Sequence, residues 1–335
     1  MTAPDKTFSN TVYRVFLPLV ALSLLTTNSW AAPTPEQQSA AFINKMIKEH
    51  SFDEAYVRDV VAAAEKKQSI LDAMSRPAEK VKPWHEYRDI FITDKRINEG
   101  VEFWEEHREQ LERISSETGV PVQMIVAIIG VETFYGRITG SYRVVDALST
   151  LAFYYPKRSA FFTKELEQYL LLAREESLGV LDVKGSYAGA MGPPQFMPSS
   201  YRAYAKDGDG DGRRDLLGNW ADIQMSIANY FIAHRWHAGK DVVFQAQLKQ
   251  GAAPVESKNE LKPKFTLSEI RAMGLEVDTG LPDDTLASLF VMDGENGTEY
   301  WVGLHNFYVI TRYNHSSMYA LAAWQLGDAI ASRID

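Results

Sequence analysis

The run Val120-Pro-Val-Gln-Met-Ile-Val-Ala-Ile-Ile-Gly-Val-Glu-Thr-Phe-Tyr-Gly136 decides the fold of this chain. Pro121 favours a helix start, and the residues from Met124 to Val131 are almost wholly apolar. A helix of this composition has no polar face to offer to water, so it must be buried nearly all round. The sequence therefore predicts a helical protein with this segment in its core.

Glu132 is the unusual residue of the run. It closes the apolar stretch and precedes Thr133, Phe134, Tyr135 and Gly136, and the glycine can end the helix. A carboxylate at that point either reaches solvent or lies in a cleft. Partial desolvation in a cleft would raise its pKa into the range that a general acid working near neutrality needs. On the local pattern alone, an ordinary surface glutamate is the alternative.

Helical patterns flank the central run on both sides. Thr34, Pro35 and Glu36 form a helix start signal. The segments with helical spacing are 35–75, 97–118, 158–177, 196–206, 222–237 and 305–333. Between 241 and 300, short β-like runs alternate with Gly, Pro and Asp clusters. The predicted fold class is mainly α, within α+β, with a small β-containing insertion.

The composition excludes several classes of protein. The 335 residues are 45% apolar and 24% charged, which is typical of a globular protein and not of a disordered or collagen-like chain. There is no cysteine, so disulfides, thiolate metal sites, cysteine nucleophiles and lipid-carrying cysteines are all excluded. The formal charge of −9 argues against general binding of nucleic acid, which needs a basic face.

The N-terminus has the pattern of a secretory signal. Lys6 and Arg14 precede an apolar run at 15–25, and the small residues Ser29 and Ala31 predict a cut after Ala31. The apolar run is too short to span a bilayer, and no later segment has eighteen unbroken apolar residues. A buried N-terminal core helix is the alternative. We expect residues 1–31 to be a signal peptide and the mature protein to be soluble in the periplasm.

A loop dense in glycine and proline lies at 189–200. This composition predicts close backbone approach before a helix that Ser199 or Ser200 can cap. Gln195 and Phe196 offer an amide and an aromatic side chain, a combination that suits sugar binding. A plain connecting loop is the alternative.

These segments together resemble the membrane-bound lytic murein transglycosylase B family. The motifs occur in the family's order across most of the chain and are Gly130-Val-Glu132-Thr133, Tyr155-Pro-Lys157-Arg158, Gly185-Ser-Tyr-Ala-Gly-Ala-Met-Gly192, Gln195-Phe-Met-Pro-Ser-Ser200, Ala228-Asn-Tyr-Phe231 and Arg312-Tyr-Asn314 with Tyr319. The resemblance implies a lysozyme-like helical core with flanking α and β parts. It also implies non-hydrolytic cleavage of the MurNAc–GlcNAc bond of peptidoglycan, which leaves a 1,6-anhydro-MurNAc end.

Site residues carry over from the family position by position. Glu132 matches the single catalytic acid and base, and the other matching positions are expected to contact the glycan strand: Tyr87, Lys157, Arg158, Ser186, Gln195, Phe196, Tyr230, Tyr313 and Tyr319. The family usually has two arginines after Tyr-Pro, and here the first is Lys157, which lacks the planar fork suited to a carboxylate. Because the chain has no cysteine, the resemblance implies a member without the lipid anchor of many relatives.

An acidic, glycine-rich segment at 207–222 predicts a calcium site. Its carboxylates stand at positions 1, 3, 5 and 9 of an EF-hand-like loop with glycine at position 6. Position 12, normally a glutamate, is Gly218, so the loop must be lengthened if a later aspartate closes it. The predicted ligands are Asp207, Asp209, Asp211, the Arg213 carbonyl, Asp215 and Asp222. Calcium is favoured over magnesium, with a role in stability, and a solvated acidic turn is the alternative.

The motifs also suggest an organisation along the chain. After the signal peptide, we expect an N-terminal helical part (32–96), a lysozyme-like core with the calcium loop (97–240), a β-containing insertion (241–303) and a C-terminal helical segment that completes the cleft (304–335). A hydrolytic muramidase and a non-catalytic, calcium-stabilised peptidoglycan-binding protein are the alternative functions. Peptidoglycan strands are the expected partner, with cell-wall synthesis complexes as a further class.

Overall fold

A computed structural model describes residues 33–75 and 82–334. The predicted signal peptide at 1–31 lies outside the described residues. Within them, the chain forms fourteen α-helices and seven β-strands, so the prediction of a mainly α fold with a small β part is confirmed.

Three helices form the N-terminal part of the described chain: α1 (Pro35–His50), α2 (Glu54–Ala63) and α3 (Gln68–Ser75). The start signal acts as predicted, because the Thr34 hydroxyl accepts from the Gln37 N–H while the Gln37 side chain accepts from the Thr34 N–H. Phe42 of α1 packs edge-on against Phe153 of the core, with ring centroids 6.2 Å apart. This contact joins the N-terminal helices to the core.

The central apolar run forms α7 (Val122–Thr133) and is buried nearly all round, as predicted. Helix α14 (Ser317–Ala331) packs along it at close range. A β-carbon at Gly327 would lie 2.8 Å from the Gln123 carbonyl oxygen, so the missing side chain lets the two helices approach. Tyr319 in the first turn of α14 is thereby held against the end of α7.

The prediction of one helix over 97–118 was wrong, because α5 (Asp94–Glu106) and α6 (Arg108–Thr118) are separate helices that meet at His107. His107 leaves the helical conformation at φ −112°, ψ 16°. Its ring packs against Phe103 and Trp220, with centroids 4.5 and 5.5 Å away. The break therefore depends on a tertiary contact that helical periodicity does not encode.

The remaining elements of the core surround α7. They are α4 (Trp84–Phe91), β1 (Tyr142–Arg143), α8 (Val144–Tyr154), a 3-10 turn (Pro156–Arg158), α9 (Ser159–Glu175), β2 (Lys184–Gly185), α10 (Pro198–Tyr204), α11 (Trp220–Ala233) and α13 (His305–Tyr313). Strands β1 and β2 form a short antiparallel pair beside the Gly-Pro loop. Among the described residues, no single helix has the length and apolar composition needed to cross a membrane, although one bent pair, α6 with α7, passes on those two criteria.

The β-like runs form a five-stranded antiparallel sheet in the order β4-β6-β7-β3-β5. Its elements are β3 (Val243–Leu248), β4 (Phe265–Thr266), α12 (Leu267–Ala272), β5 (Leu275–Val277), β6 (Leu286–Gly294) and β7 (Gly297–Gly303). The sheet has its own small apolar core, which includes Leu275, Leu289 and Val302. The Leu304 N–H donates to the Val242 carbonyl at 2.9 Å, so the two ends of the insertion meet where it joins the helical part.

Candidate active site

Glu132 stands one residue before the end of α7, where the chain turns sharply. Phe134 and Tyr135 both adopt left-handed backbone conformations, with φ of 53° and 59°. Such angles are strained for residues with side chains and persist only when the surroundings fix them. Tyr135 lies against Gly130, where an added β-carbon would meet the Tyr135 hydroxyl oxygen at 2.7 Å, and that hydroxyl donates to the Arg96 carbonyl at 2.8 Å. The buried tyrosine thus anchors the turn that follows Glu132.

Thr133 joins this turn to the Gly-Pro loop. Its hydroxyl donates to the Pro193 carbonyl at 2.9 Å and accepts from the Gly136 N–H at 3.1 Å. The side chain is 1% exposed, and a buried hydroxyl of this kind is normally hydrogen-bonded within the protein. Thr133 was not among the predicted site residues, although a hydroxyl beside a carboxylate at a helix end was a signal for such a role.

The electrostatics of Glu132 fit a proton donor. Burial raises the pKa of its carboxyl to about 7, while the Tyr319 hydroxyl, which donates to Oε1 at 2.6 Å, opposes that rise. The residue nevertheless keeps part of its surface exposed. Near neutral pH it therefore interconverts between the acid and the carboxylate.

Three of the predicted tyrosines surround this carboxyl. Burial raises the pKa of Tyr319 and Tyr313 well above the ordinary value, and the charge of Glu132 raises both further. The pKa of Tyr87 is raised by the same two causes. All three phenols therefore stay protonated at neutral pH, and among the described residues the Tyr319 hydroxyl is the one that hydrogen-bonds to Glu132.

Aromatic rings form the floor next to these tyrosines. Tyr230 lies 4.8 Å from Tyr313 and 5.7 Å from Phe196 between ring centroids. The Tyr313 hydroxyl donates to the Pro194 carbonyl at 2.7 Å, and the Tyr230 hydroxyl donates to the Arg312 carbonyl at 2.5 Å. Phe196 is 2% exposed, so it packs against Tyr230 and Tyr313 and has little ring surface available to a ligand.

The Gly-Pro loop is fixed by polar contacts. The Ser186 hydroxyl accepts from the Ala190 N–H at 3.0 Å. Gln195 has a left-handed backbone, with φ of 50°, and its amide donates to the Thr139 and Gly192 carbonyls at 3.1 and 2.9 Å. The Gln195 amide N–H groups thus brace the loop, while its carbonyl oxygen has no partner among the described residues.

Lys157 and Arg158 have no direct contact with the other predicted substrate residues within the described part of the chain. Both are exposed on the 3-10 turn after α8. The Arg158 guanidinium lies over the rings of Phe161 and Phe162, 4.4 and 5.1 Å from their centroids. Within the described residues, neither basic side chain forms a hydrogen bond or ring contact with another predicted site residue.

The acidic loop brings three aspartates together. One carboxylate oxygen from each of Asp207, Asp209 and Asp211 lies within 4.8 Å of the others. Loop N–H groups also point at Asp207, which accepts from Gly210 and Gly212 at 2.6 and 2.8 Å and whose pKa is lowered by those bonds. Three exposed hard oxygen donors on a backbone-braced loop fit a calcium ion.

The other two predicted aspartates face the loop backbone. Buried Asp222 accepts from the Gly208 and Asp215 N–H groups at 2.7 and 2.6 Å, which closes the loop. Asp215 accepts from Leu217 at 2.8 Å, and the Arg213 N–H donates to Asp211 at 2.8 Å. Asn219 was not among the predicted ligands, and its amide donates to Asp209 Oδ2 at 2.8 Å.

A buried carboxyl of raised pKa at the end of a core helix, close to protonated tyrosines, has the properties of the general acid of a lysozyme-like enzyme that cleaves glycosidic bonds. The chain matches the Transglycosylase SLT domain family over residues 34–328. It is also 44% identical to membrane-bound lytic murein transglycosylase B of Escherichia coli (strain K12) over 301 residues, which cover 87% of this chain and 81% of that protein.

Solved structures agree with this match. Catenated lytic transglycosylase SltB1 from Pseudomonas aeruginosa is 50% identical with a TM-score of 0.85, covering 90% of this chain and 98% of that one. Escherichia coli Slt35 in complex with calcium is 43% identical with a TM-score of 0.81, covering 88% and 93%. The chain belongs to the transglycosylase SLT family, and its activity is that of a lytic transglycosylase acting on peptidoglycan.

The Thr133 contacts can be tested by substitution. Thr133→Val keeps the shape but leaves the Pro193 carbonyl and the Gly136 N–H unpaired, so we expect a loss of about 1–3 kcal/mol in the free energy of unfolding. Thr133→Ser retains the hydroxyl and is the matched control. Urea denaturation of both variants measures the difference, and equal stability of the two would contradict this role of the hydroxyl.

Proposed function

We propose that Glu132 is the catalytic acid and then the catalytic base of the transglycosylase reaction. The protonated carboxyl donates its proton to the glycosidic oxygen as the bond from C1 of MurNAc breaks. The C6 hydroxyl of the same sugar then attacks C1, and the Glu132 carboxylate takes the O6 proton as the 1,6-anhydro ring closes. The raised pKa, which populates both forms near neutrality, is the observation that carries this proposal.

The surroundings of Glu132 favour this reaction over hydrolysis by a muramidase. Glycosidases of the usual kind place a second carboxylate about 5–9.5 Å from the acid. Among the described residues, no second carboxylate hydrogen-bonds to Glu132 or contributes to its pKa shift. In the proposed reaction the C6 hydroxyl of the same sugar is the nucleophile, and its attachment to the reacting sugar gives it a high effective molarity. A second carboxylate that activates a water molecule is therefore not needed.

The aromatic side chains would hold the glycan strand and keep water away from the reacting carbon. Tyr319 hydrogen-bonds to Glu132, and the charge of Glu132 raises the pKa of Tyr87 and Tyr313. Ser186, Gln195, Phe196 and Tyr230 would form the sugar-binding floor and loop, with the free Gln195 carbonyl oxygen available to an acetamido N–H. Lys157 and Arg158 would act at the exposed margin, on peptide groups and not on the sugar ring.

We infer that the acidic loop binds calcium for stability. Asp207, Asp209 and Asp211 would supply carboxylate oxygens, and the Arg213 carbonyl would add another. Asp215 and Asp222 would maintain the loop through their backbone contacts. A bound divalent cation would offset the mutual repulsion of these carboxylates. The calcium complex of the Slt35 relative supports the assignment.

We place the enzyme in the periplasm, where murein lies, with residues 1–31 as its export signal. The expected divisions at 32–96, 97–240, 241–303 and 304–335 remain our proposal for its organisation. Cell-wall synthesis complexes are proposed partners, since the cleavage of murein has to be coordinated with its growth. A non-catalytic, calcium-stabilised peptidoglycan-binding protein is the alternative. It would be favoured if the wild-type protein bound peptidoglycan and released no muropeptides.

The catalytic assignment predicts that Glu132→Gln abolishes release of muropeptides from purified sacculi, because the amide can neither donate nor accept the required proton. Glu295→Gln, at an exposed turn of the insertion, is the control and should remain active. Mass spectrometry of the wild-type digest should give products one water lighter than those of hydrolysis. Full activity of Glu132→Gln would overturn the assignment, and hydrated products would favour a muramidase.

The pH dependence gives a second test. Tyr319 stabilises the ionised form of Glu132, so Tyr319→Phe should raise the pKa of Glu132 above about 7. The protonated acid then persists to higher pH, and the alkaline fall in kcat/KM should move upward by about one pH unit. Tyr56→Phe, distant on α2, should leave the profile in place. A downward movement in Tyr319→Phe would contradict the proposed role of this hydroxyl.

Calcium binding predicts a change in thermal stability. Calcium at one hundred times its dissociation constant should stabilise the chain by about 2.7 kcal/mol, which raises Tm by roughly 5 °C. Asp209→Asn should weaken this effect, whereas Asp278→Asn removes an equal charge elsewhere and should not. Scanning calorimetry with calcium and with chelator measures the shift. A Tm indifferent to both additions would remove the metal site.

A further inference from the structure

Glu299 of strand β7 accepts two indole N–H groups on one carboxylate oxygen. Trp84 Nε1 lies 3.1 Å from Glu299 Oε2, and Trp301 Nε1 lies 2.9 Å from the same atom. An indole N–H can only donate a hydrogen bond, so a buried tryptophan usually has an acceptor within reach. Trp84 is 1% exposed, and Glu299 is the acceptor that the structure gives to its N–H. One side chain of the insertion therefore satisfies a buried donor from the helical part.

The strand pairing directs Glu299 toward the helical part. In the β6–β7 hairpin, Glu299 pairs with Met292 and Trp301 pairs with Phe290. Residues two apart in a strand share a face of the sheet, and so do directly paired residues, which places these four side chains together. Phe290 and Met292 belong to the apolar core of the helical part. A β-carbon at Gly294 would lie 2.7 Å from the Glu299 side chain, so the glycine leaves room for the carboxylate.

Helix α4, which begins with Trp84, depends on such contacts for its position. It has eight residues and no side-chain capping bond at its start, and short helices are marginal without tertiary packing. Trp84 is its one fully buried residue. His85 Nδ1 donates to the Asp293 carbonyl at 3.1 Å, and Arg88 Nε donates to the Gln325 side chain at 2.8 Å. The β6–β7 hairpin and α14 therefore hold α4 from two sides.

Tyr87 lies one turn further along α4 and connects this helix with the Glu132 site. Its ring centroid is 6.4 Å from that of Trp84, and residues three apart share a helix face. The charge of Glu132 raises the pKa of Tyr87, and Tyr87 in turn raises the pKa of Tyr319, whose hydroxyl donates to Glu132. Tyr87 therefore lies within electrostatic range of Glu132, on the side of the site that α4 forms.

We propose that Glu299 is a positioning residue for the transglycosylase reaction. Its Oε2 atom holds the two indoles together, which fixes α4 against the β6–β7 hairpin and keeps the Tyr87 ring beside Glu132. The inference rests on the proposed function, because it takes Glu132 as the proton donor and Tyr87 as part of the glycan cleft. It gives the β-containing insertion a part in the reaction that does not require contact with the substrate.

The consequence of losing this acceptor follows from burial. Without Glu299, the Trp84 N–H either stays unpaired in the core or moves until it reaches water. Movement of α4 carries Tyr87 away from Glu132 and admits water to the carboxyl. Desolvation is the largest cause of the raised pKa of Glu132, so added water lowers that pKa. The protonated acid is then lost at lower pH, and the alkaline fall in kcat/KM moves downward.

The test compares Glu299→Met with Glu299→Gln on soluble peptidoglycan strands. Methionine has a similar length and no strong acceptor, whereas the glutamine carbonyl oxygen can accept from both indoles. We expect Glu299→Met to lower kcat/KM about tenfold and to move its alkaline fall downward by about half a pH unit. Glu299→Gln should retain both wild-type values. Glu295→Met, at the exposed turn of the same hairpin, removes an equal charge and should also leave both unchanged.

A Tyr87→Ala background separates positioning from a general loss of stability. Because Glu299 is proposed to act through Tyr87, Glu299→Met should move the alkaline fall no further in that background. Nitrogen NMR of the indoles follows the hydrogen bonds directly, with Trp84→Phe used to assign the signal. The Trp84 signal should shift in Glu299→Met and stay in place in Glu299→Gln. Trp84→Phe, which removes one donor and keeps a ring, should itself move the alkaline fall downward.

An unmoved alkaline fall in Glu299→Met would overturn the proposal even if Tm fell, because a purely structural contact leaves the surroundings of Glu132 unchanged. Equal losses in the methionine and glutamine variants would also overturn it. If Glu299→Met does not fold, Trp84→Phe decides in the same way. A wild-type profile without an alkaline fall near pH 7 would instead overturn the proposed role of Glu132, while the ratio of kcat/KM between the two Glu299 variants still decides the positioning role.

Discussion

Desolvation of the Glu132 carboxyl is the constraint on which the site depends. Glu132 lies near the end of an apolar helix that is buried on all sides. Its carboxyl therefore has little contact with water, and its pKa rises to about 7. The Tyr319 hydroxyl limits that rise, so that neither protonation state is lost at neutral pH. The strained turn at Phe134 and Tyr135 then directs the chain away from the helix axis and leaves the carboxyl partly exposed.

The acidic loop at 207–222 is connected to this turn by direct packing. A β-carbon at Gly192 would lie 2.0 Å from the Leu216 carbonyl oxygen, so the Gly-Pro loop rests on the segment that follows the aspartates. A β-carbon at Gly136 would lie 2.9 Å from the ring of Trp220, the first residue of α11. These contacts link the acidic loop, where we propose calcium to bind, to the Gly-Pro loop and to the turn that follows Glu132.

Much of this arrangement follows from local sequence. The apolar run at 124–131, the capping box at Thr34 and the β-like runs of the insertion each predict the element that forms, because their signals are local. The break at His107 does not follow, since it depends on Trp220, far away in the chain. The bond from Thr133 to Pro193 and the bond from the Val291 N–H to the Asn259 side chain are tertiary contacts of the same kind. The family motifs place Lys157 and Arg158 among the substrate residues, and that assignment stays a prediction, because the described contacts of Arg158 are with Phe161 and Phe162.

The central claim concerns the ionisation of one carboxyl, and direct titration tests it best. Carbon NMR of the chain labelled at glutamate side-chain carboxyls, with Glu132→Gln used to assign the signal, follows Glu132 without reference to turnover. The account predicts a midpoint near pH 7, well above the ordinary glutamate value of 4.5. A midpoint near 4.5 would show that the carboxyl is solvated and ionised at neutral pH, which would contradict its role as the proton donor.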